Sequence, residues 1–193
     1  AVPMERRPGG KVSTYDRPLQ KTRNEVSLSV FAFLFAEVVE YCLRKASVMH
    51  NLEEHLHELG RPAGVRILDL CALRENRNRR ETRLLPMLNF IASAIWTRLF
   101  GHSAELLKGQ DHENEYMLND KALLVNRFIS VPRDLGDVNC GAFVAGMVEG
   151  MLCSAEFPGS ATAHTVEEPT GTSTTILIKF EEKVMARERR SER

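Results

Sequence analysis

Two segments in the first half of the chain follow the hydrophobic period of a helix. From Val26 to Lys45, apolar side chains recur every three or four positions, and further apolar residues lie on the flanking faces. A second segment, Leu84–Phe100, keeps the same period between Thr82, its expected cap, and Gly101. A helix that is apolar around most of its circumference is buried on more than one side. We therefore expect the first helix either to contact a partner subunit or to be the central helix of a self-contained core.

The chain between these segments predicts two shorter helices. Leu52–Leu59 has leucines at helical spacing and is followed by Gly60 and Pro62, a combination that is typical of a helix end. Val65–Leu73 then forms a second apolar run. We expect a break between the two helices at Gly60.

The second half of the chain predicts strands around one helix. In the last strand, apolar residues recur at every second position, which is the period of a half-buried strand. A helix is expected to open at Asp137 or Asn139. Helices first and paired strands later predict an α+β domain with helices packed on an antiparallel sheet. The predicted strands are Glu115–Leu118, Leu123–Val131, Ala161–Val166 and Thr174–Phe180.

Charge and composition suggest one folded body with two tails. Lys and Arg number 26, as do Asp and Glu, so no global field attracts nucleic acid. Residues 1–24 are basic and contain proline and glycine, which predicts a flexible tail that, as an alternative, meets an acidic partner or an anionic membrane. The charged segment Glu181–Arg193 is expected to begin as a helix and to fray. A single domain is predicted over residues 25–187 and a charged tail over residues 188–193. No apolar run reaches the about 20 residues of a membrane-spanning helix, so membrane association is expected to be peripheral.

Cys140 is the most prominent candidate for chemistry. It is predicted at a helix N-terminus, where the helix dipole lowers a thiol pKa, and its surroundings resemble the nucleophile segment of some cysteine proteases. A nucleophile also needs a base, and neither His102 nor His112 lies in a recognisable base motif. The alternative is a small residue at a crowded helix start, so we expect no catalysis. The glycines that favour this alternative are Gly141, Gly146 and Gly150.

Other clusters of polar residues predict surfaces rather than metal or cofactor sites. His50, His55 and His57 lie among glutamates, but side chains two positions apart on a helix point in different directions. A solvated polar face is therefore expected, with no metal and no cofactor. The cysteines are far apart and lie in apolar or helical stretches, which predicts buried reduced thiols in a cytosolic protein. They are Cys42, Cys71, Cys140 and Cys153.

A basic segment follows the second of the short helices. Arg77, Arg79 and Arg80 are candidates for contact with a phosphate or with an acidic partner surface. Glu75 and Glu81 partly neutralise the segment, so an exposed, self-compensating loop is the default interpretation.

Several short strings, taken in chain order, resemble one family. The chain is similar to the small subunits of the transport protein particle (TRAPP), a vesicle-tethering complex, from about Asn24 to Arg187. Each string is weak alone, and their shared order is what makes the resemblance specific. The strings are Asn24–Phe35, Leu59–Gly60, Gly64–Asp69, Arg80–Thr82, Ala94–Trp96, Ile129–Pro132, Asn139–Cys140, Ala145–Glu149 and Ile178–Glu182.

The resemblance implies helices on one side of a twisted antiparallel sheet and pairing with a paralogous subunit through the first two helices. It also implies a structural, non-catalytic subunit of a complex that works in traffic from the endoplasmic reticulum to the Golgi. That complex promotes nucleotide exchange on a Rab GTPase, which this subunit would serve indirectly. The implied location is cytoplasmic, peripherally at endoplasmic reticulum and cis-Golgi membranes. The implied interface residues are Leu28, Phe31, Phe35, Val38, Cys42, Leu52 and Leu56.

One position departs from the family pattern. A paralogous subunit carries an acylated cysteine four residues before its Arg-Glu-Thr string, with the acyl chain in an internal channel. The matching position here is Asn76, so the resemblance does not imply acylation at that site. Distant relatives of the fold sense small molecules. A small-molecule or acyl-ligand-binding module is therefore the alternative function.

Overall fold

The computed structural model describes most of the chain and contains both helices and a sheet. Described are residues 27–45, 50–75, 80–110, 112–130, 138–168 and 171–191. The helical first half and the strands of the second half agree with the predicted order. The elements are α1 (Leu28–Lys45), α2 (His50–Arg74), α3 (Leu84–Asn89), a π-helical segment (Phe90–Ile95), α4 (Trp96–Phe100), β1 (Glu105–Lys108), β2 (Glu115–Asp120), α5 (Leu124–Arg127), α6 (Ala142–Ser154), β3 (Gly159–Glu168), β4 (Gly171–Phe180) and α7 (Glu182–Ser191).

The strands form an antiparallel sheet in the order β1-β2-β4-β3. Along β4 every second side chain is buried, as at Ile176 and Ile178. Tyr116 of β2 meets the Phe180 ring edge-on at 5.8 Å on the same face. Alternating burial of this kind arises when one face of a sheet is covered and the other is not. The predicted α+β domain, with helices packed on an antiparallel sheet, is confirmed.

Helices α2 and α6 cross in direct backbone contact. A methyl group added at Gly60 or Gly64 of α2 would overlap carbonyl oxygens of α6. The relation is reciprocal, because a methyl group at Gly146 or Gly150 of α6 would overlap carbonyl oxygens of α2. Glycine leaves room for backbones this close because it has no Cβ atom. The prediction that small residues let another element approach the helix after Cys140 is confirmed.

Helix α2 is one continuous helix where the sequence predicts two short ones. Pro62 lies in its interior, although proline removes a helical hydrogen bond and usually ends or kinks a helix. Gly60 is buried against α6 rather than placed at a helix end. Packing against α6 therefore outweighs the local preferences of glycine and proline. The prediction of a break at Gly60 was wrong.

The start of α3 is held by the last helix of the chain. The residue in the N-cap position is Arg83 rather than the predicted Thr82, and its side chain makes no capping bond. The Glu188 carboxylate of α7 instead accepts the Leu84 N–H at 3.0 Å and the Arg83 Nε–H at 3.0 Å. The sequence predicts a tail over residues 188–193, but α7 runs through most of this segment and Glu188 belongs to the fold.

The segment Leu123–Val131 contains a helical turn instead of the predicted strand. The turn is α5, and its Val125 side chain is buried in the core. A short apolar run bounded by turns fits a buried turn as well as a strand, because periodicity alone does not separate them. The strand prediction was wrong within the described part of the segment, and Val131 lies outside it.

The opening of α6 is set by Asn139. Its Oδ1 accepts the Gly141 N–H at 2.7 Å, directly before the helix begins at Ala142. A side-chain oxygen that bonds backbone N–H groups at a helix start satisfies donors that have no partner within the helix. The N-cap position of the helix is Gly141, two residues after Asn139, which is one of the two predicted openings. The other, Asp137, lies outside the described residues.

Candidate subunit interface

The inner face of α1 belongs to the core of this chain. Phe35 and Cys42 are 5% and 1% exposed. The Phe35 ring stacks on Phe31 at 5.8 Å and meets the Phe143 ring of α6 edge-on at 5.6 Å. Such aromatic pairs add to the stability that area burial alone provides. One side of α1 is therefore already occupied within the subunit.

The outer face of α1 is also apolar and lies open. Phe33 and Leu34 are 75% and 63% exposed, and Val30 and Tyr41 are 58% and 47% exposed. Residues at spacings of three, four and seven share one side of a helix, so these four side chains form a continuous surface. We call this set (Val30, Phe33, Leu34 and Tyr41) the outer α1 face. Contiguous exposed apolar surface marks an interaction site, whereas single exposed residues need no explanation.

The implied interface residues divide into an exposed group and a buried group. Leu28 is 44% exposed, and Phe31 and Val38 are half-buried. The other four lie inside the core of this chain, where a partner cannot reach them in the folded state. Two of them, Phe35 and Cys42, are on α1, and the surface that α1 offers lies on the opposite side of the helix from these two. The buried residues are Phe35, Cys42, Leu52 and Leu56.

Sequence reasoning missed the outer α1 face because both faces of the helix are apolar. A signal was nevertheless present. A helix packs on its own domain through apolar residues at regular spacings of three and four. The longest such run in this segment is Leu28, Phe31, Phe35, Val38 and Cys42. The apolar residues left over after that run has been assigned to the core are the ones that a partner can contact.

The basic segment contributes one described arginine, which is used within the chain. Arg80 donates to the Ala155 carbonyl at 2.7 Å and lies 3.1 Å from a Glu156 carboxylate oxygen. The hydrogen bond and charge of Arg80 lower the pKa of Glu156. Arg80 therefore ties the segment before α3 to the end of α6. Arg77 and Arg79, together with Asn76, lie outside the described residues.

Cys140 lies in an environment opposite to that of a reactive thiol. The residue is 2% exposed, and burial, followed by the negative charge of Glu53, raises its pKa to about 11. A nucleophilic cysteine needs the thiolate form, which a low pKa and access to solvent favour. His102, one of the histidines considered as a base, instead pairs with the buried Asp120 at 2.9 Å. Asp120 also accepts the Trp96 indole N–H at 2.7 Å.

His57 of α2 is used in contacts between elements of the fold. His57 Nε2 lies 3.1 Å from the Ala161 carbonyl and 3.3 Å from Glu149, so it joins α2 to β3 and α6. Across the described stretches of the chain, no group of three or more His, Cys, Asp and Glu side chains is placed to hold a metal ion. The same stretches include no helix that is long and apolar enough to cross a membrane.

A small α+β domain that buries one face of its first helix and exposes a second apolar face is typical of a subunit of a larger assembly. Comparison with known sequences gives the family. The chain belongs to the family of transport protein particle (TRAPP) components, whose sequence model matches residues 31–181. The resemblance seen in the sequence is thereby confirmed, and the chain is a component of the trafficking-complex class.

Individual relatives agree with this assignment. The trafficking protein particle complex subunit 5 of Dictyostelium discoideum is 46% identical over 179 residues, covering 91% of this chain and 96% of that protein. The protein of the same name from Gallus gallus is 43% identical, with coverage of 93% and 94%. Among solved structures, a trafficking protein particle complex subunit 3 from Naegleria fowleri, covalently bound to palmitic acid, superposes with a TM-score of 0.69. It covers 80% of this chain and 95% of its own at 14% identity, and thus supports the fold alone.

Proposed function

We propose that this chain is a structural, non-catalytic subunit of a TRAPP-type complex and that it pairs with a paralogous subunit through the outer α1 face. The observation that carries the proposal is the exposure of Phe33 and Leu34 side by side on a helix whose other face is already packed. An isolated subunit leaves these side chains in water. A paired subunit buries them.

The energetics favour pairing through this face. Full burial of a Phe, Leu or Val side chain stabilises an association by about 1.5–3 kcal/mol before the costs of association are subtracted. Charged residues accompany the apolar set. Glu37 lies within it, and the Glu40–Arg44 ion pair lies beside it. Charges at the rim of an interface contribute more to partner choice than to affinity. The outer α1 face therefore combines exposed apolar side chains with charged ones that contribute to the choice of paralogue.

Through its place in the complex, the chain acts in vesicle tethering between the endoplasmic reticulum and the Golgi. Its effect on nucleotide exchange by a Rab GTPase is indirect, because other subunits of the complex supply the exchange site. The chain works in the cytoplasm, peripherally at endoplasmic reticulum and cis-Golgi membranes. The buried, protonated Cys140 thiol supports a role without covalent chemistry.

A pair of matched substitutions tests the interface. Leu34→Asp places a charge in the centre of the outer α1 face, whereas Leu85→Asp makes the same change at a 51% exposed leucine of α3. Each variant is co-expressed with tagged paralogous TRAPP subunits and measured by co-purification and light scattering. We expect Leu34→Asp to weaken pairing by at least about 2 kcal/mol, as central interface residues do, and Leu85→Asp to pair normally.

Circular dichroism and thermal unfolding of the isolated variants separate loss of pairing from loss of the fold. Leu34 is largely exposed in the single subunit, so Leu34→Asp is expected to leave its fold intact. If the folded Leu34→Asp variant co-purifies with every paralogue as well as the unmodified chain does, the outer α1 face is not the interface.

A second candidate function, binding of an acyl chain or another small apolar ligand, rests on one cavity. The cavity has a volume of about 350 Å³ and lies between α1, α2, α4, α5 and α6. Its lining is almost entirely apolar, a feature that ligand pockets share. The Naegleria fowleri structure of the same fold carries palmitic acid. The lining residues include Phe31, Ile67, Leu99, Phe100, Val125 and Met147.

Mass spectrometry of the intact chain separates the two candidates. A ligand held in the cavity adds its mass under native conditions and is lost on denaturation, whereas a covalent acyl group persists. We expect any bound ligand to be non-covalent, since Asn76 stands at the position of the family's acylated cysteine. A bare chain mass in both conditions, from protein expressed in lipid-rich cells, rejects this second function.

A further inference from the structure

Strand β3 forms one edge of the sheet, and its pairing with β4 determines which of its backbone groups point outward. The Glu181 N–H donates to the Pro158 carbonyl at 3.1 Å, at the position where the β3–β4 ladder continues beyond Gly159. In an antiparallel ladder, residues that exchange backbone hydrogen bonds alternate with residues that do not. Even-numbered positions of β3 therefore bond to β4. Odd-numbered positions direct their N–H and C=O groups away from the sheet.

The outward-facing position at Ala161, the second in β3, agrees with this assignment. The Ala161 N–H donates to Glu149 Oε2 at 3.0 Å, and the Ala161 carbonyl lies 3.1 Å from His57 Nε2. Side chains of α6 and α2 thus satisfy the edge at this point. A free edge strand is a template for pairing with another chain, and proteins usually cover or blunt such edges. Here the cover extends over Ala161.

The next outward-facing positions are open within the described part of the chain. There, the backbone groups of Ala163, Thr165 and Glu167 that face away from β4 have no recorded hydrogen-bond partner. They border a groove of about 900 Å³ between β3 and the first turns of α2 and α6. Three of its lining residues are alanines (Ala142, Ala161 and Ala163), and these small side chains leave room for the side chains of an added strand.

The groove is acidic. Among the described residues, its lining contains glutamates and histidines but no Lys or Arg. The charge of Glu149 is compensated by Arg61 at 3.2 Å, and Glu53 accepts the Asn139 N–H at 2.7 Å. Glu54 and Glu167 are exposed, and within the described residues neither has a recorded ion-pair partner. The open part of the edge is therefore flanked by negative charge that a basic side chain can neutralise.

We propose that the β3 edge binds an extended basic peptide of a partner protein as an added strand. The backbone of the peptide bonds to the outward-facing groups of Ala163, Thr165 and Glu167, and its Lys or Arg side chains lie beside Glu54 and Glu167. Main-chain hydrogen bonds supply the affinity in this mode of recognition, and side chains at alternate positions supply the specificity. The site is separate from the outer α1 face, since no residue belongs to both.

The test uses a short fluorescent peptide in which lysine alternates with threonine, and the full-length chain. Binding is followed by fluorescence anisotropy. Two N-methylated forms of the peptide have the same charge. One carries methyl groups on the backbone nitrogens of its odd-numbered residues, and the other on those of its even-numbered residues. In an added strand, only every second residue directs its N–H group toward β3, so only one of the two sets of nitrogens bonds to the strand. We expect methylation of the nitrogens that face β3 to weaken binding by about tenfold or more, since it removes the backbone hydrogen bonds that join the peptide to the strand. Methylation of the nitrogens that point away from β3 should leave the binding affinity unchanged.

The protein side of the test removes the two charges and leaves the backbone groups of β3 in place. Glu54→Gln combined with Glu167→Gln is expected to weaken binding and to reduce its dependence on salt. The control is Glu105→Gln on β1, at the other edge of the sheet, which should bind as the unmodified chain does. The proposal is overturned if the unmethylated peptide does not bind, or if both methylated forms bind equally, which would indicate attraction by charge alone.

Discussion

At the scale of single residues, Cys140 shows how its surroundings reverse the chemistry that its position in the chain favours. A thiol at a helix N-terminus gains from the helix dipole, which lowers its pKa. In the structure, burial and the neighbouring Glu53 outweigh the dipole, and the pKa rises to about 11. The balance favours the neutral thiol because removal of a charge from water costs more than the dipole returns. Cys140 is therefore a packing residue.

This assignment predicts the reactivity of Cys140. In the folded chain at neutral pH, a maleimide should label the half-buried Cys153 before it labels Cys140, and Cys140 should react only as the chain unfolds. Peptide mapping by mass spectrometry after brief labelling measures the order. Labelling of Cys140 as fast as of a free thiol would contradict it.

The same pKa shift has a consequence for stability. Because the folded-state pKa of Cys140 is raised above its ordinary value of 9.0 to about 11, its contribution is fully present below pH 9.0 and is lost as pH rises toward 11. Denaturant unfolding at several pH values measures this loss. Cys140→Ala is the control, since without the thiol this part of the pH dependence should disappear.

At the scale of elements, local sequence rules predicted helices and strands correctly where the secondary structure depends on residues that are close in the chain. The hairpin of β3 and β4 was predicted from alternation in Thr174–Phe180, and Gly101 ends α4 with a φ of 84°, as a C-terminal glycine does. The errors occur where the secondary structure depends on packing against an element that is distant in the chain. Gly60 and Pro62 are helix-ending residues by local rule, yet they lie within α2 because α6 packs directly on its backbone.

Two further features had no adequate local signal. Strand β1 (Glu105–Lys108) is short and mostly exposed, so it lacks an alternating pattern and is defined by its pairing with β2. The outer α1 face had an ambiguous signal, because Phe33 and Phe35 are equally apolar and lie on different sides of one helix. The sequence thus predicted that α1 has more apolar surface than the core of its own domain buries. Which residues form that surface depends on how α1 packs on α2 and α6.

At the scale of the whole molecule, the fold closes through contacts between the end of the chain and its middle. Arg187 of α7 stacks over the Phe157 ring at 4.4 Å, and Val184 is 1% exposed. The Glu188 carboxylate, in turn, is the hydrogen-bond acceptor at the start of α3. Helix α7 therefore joins the connection between α6 and β3 to the start of α3, and the fold extends beyond the predicted boundary at residue 187.

A truncation tests this closure. A chain that ends at Arg187 loses the bonds of Glu188 to Leu84 and Arg83, and its α7 is shortened. Loss of a helix N-cap costs about 0.5–2 kcal/mol, and removal of the partner of a half-buried Arg adds to it. We expect the free energy of unfolding, measured with urea, to fall by about 1–3 kcal/mol. A chain that ends at Arg190 keeps Glu188 and should retain nearly full stability, because the Glu188 bonds to Leu84 and Arg83 remain. Equal stability of the two truncated chains would show that Glu188 does not hold α3, and residue 187 would then stand as the boundary of the domain.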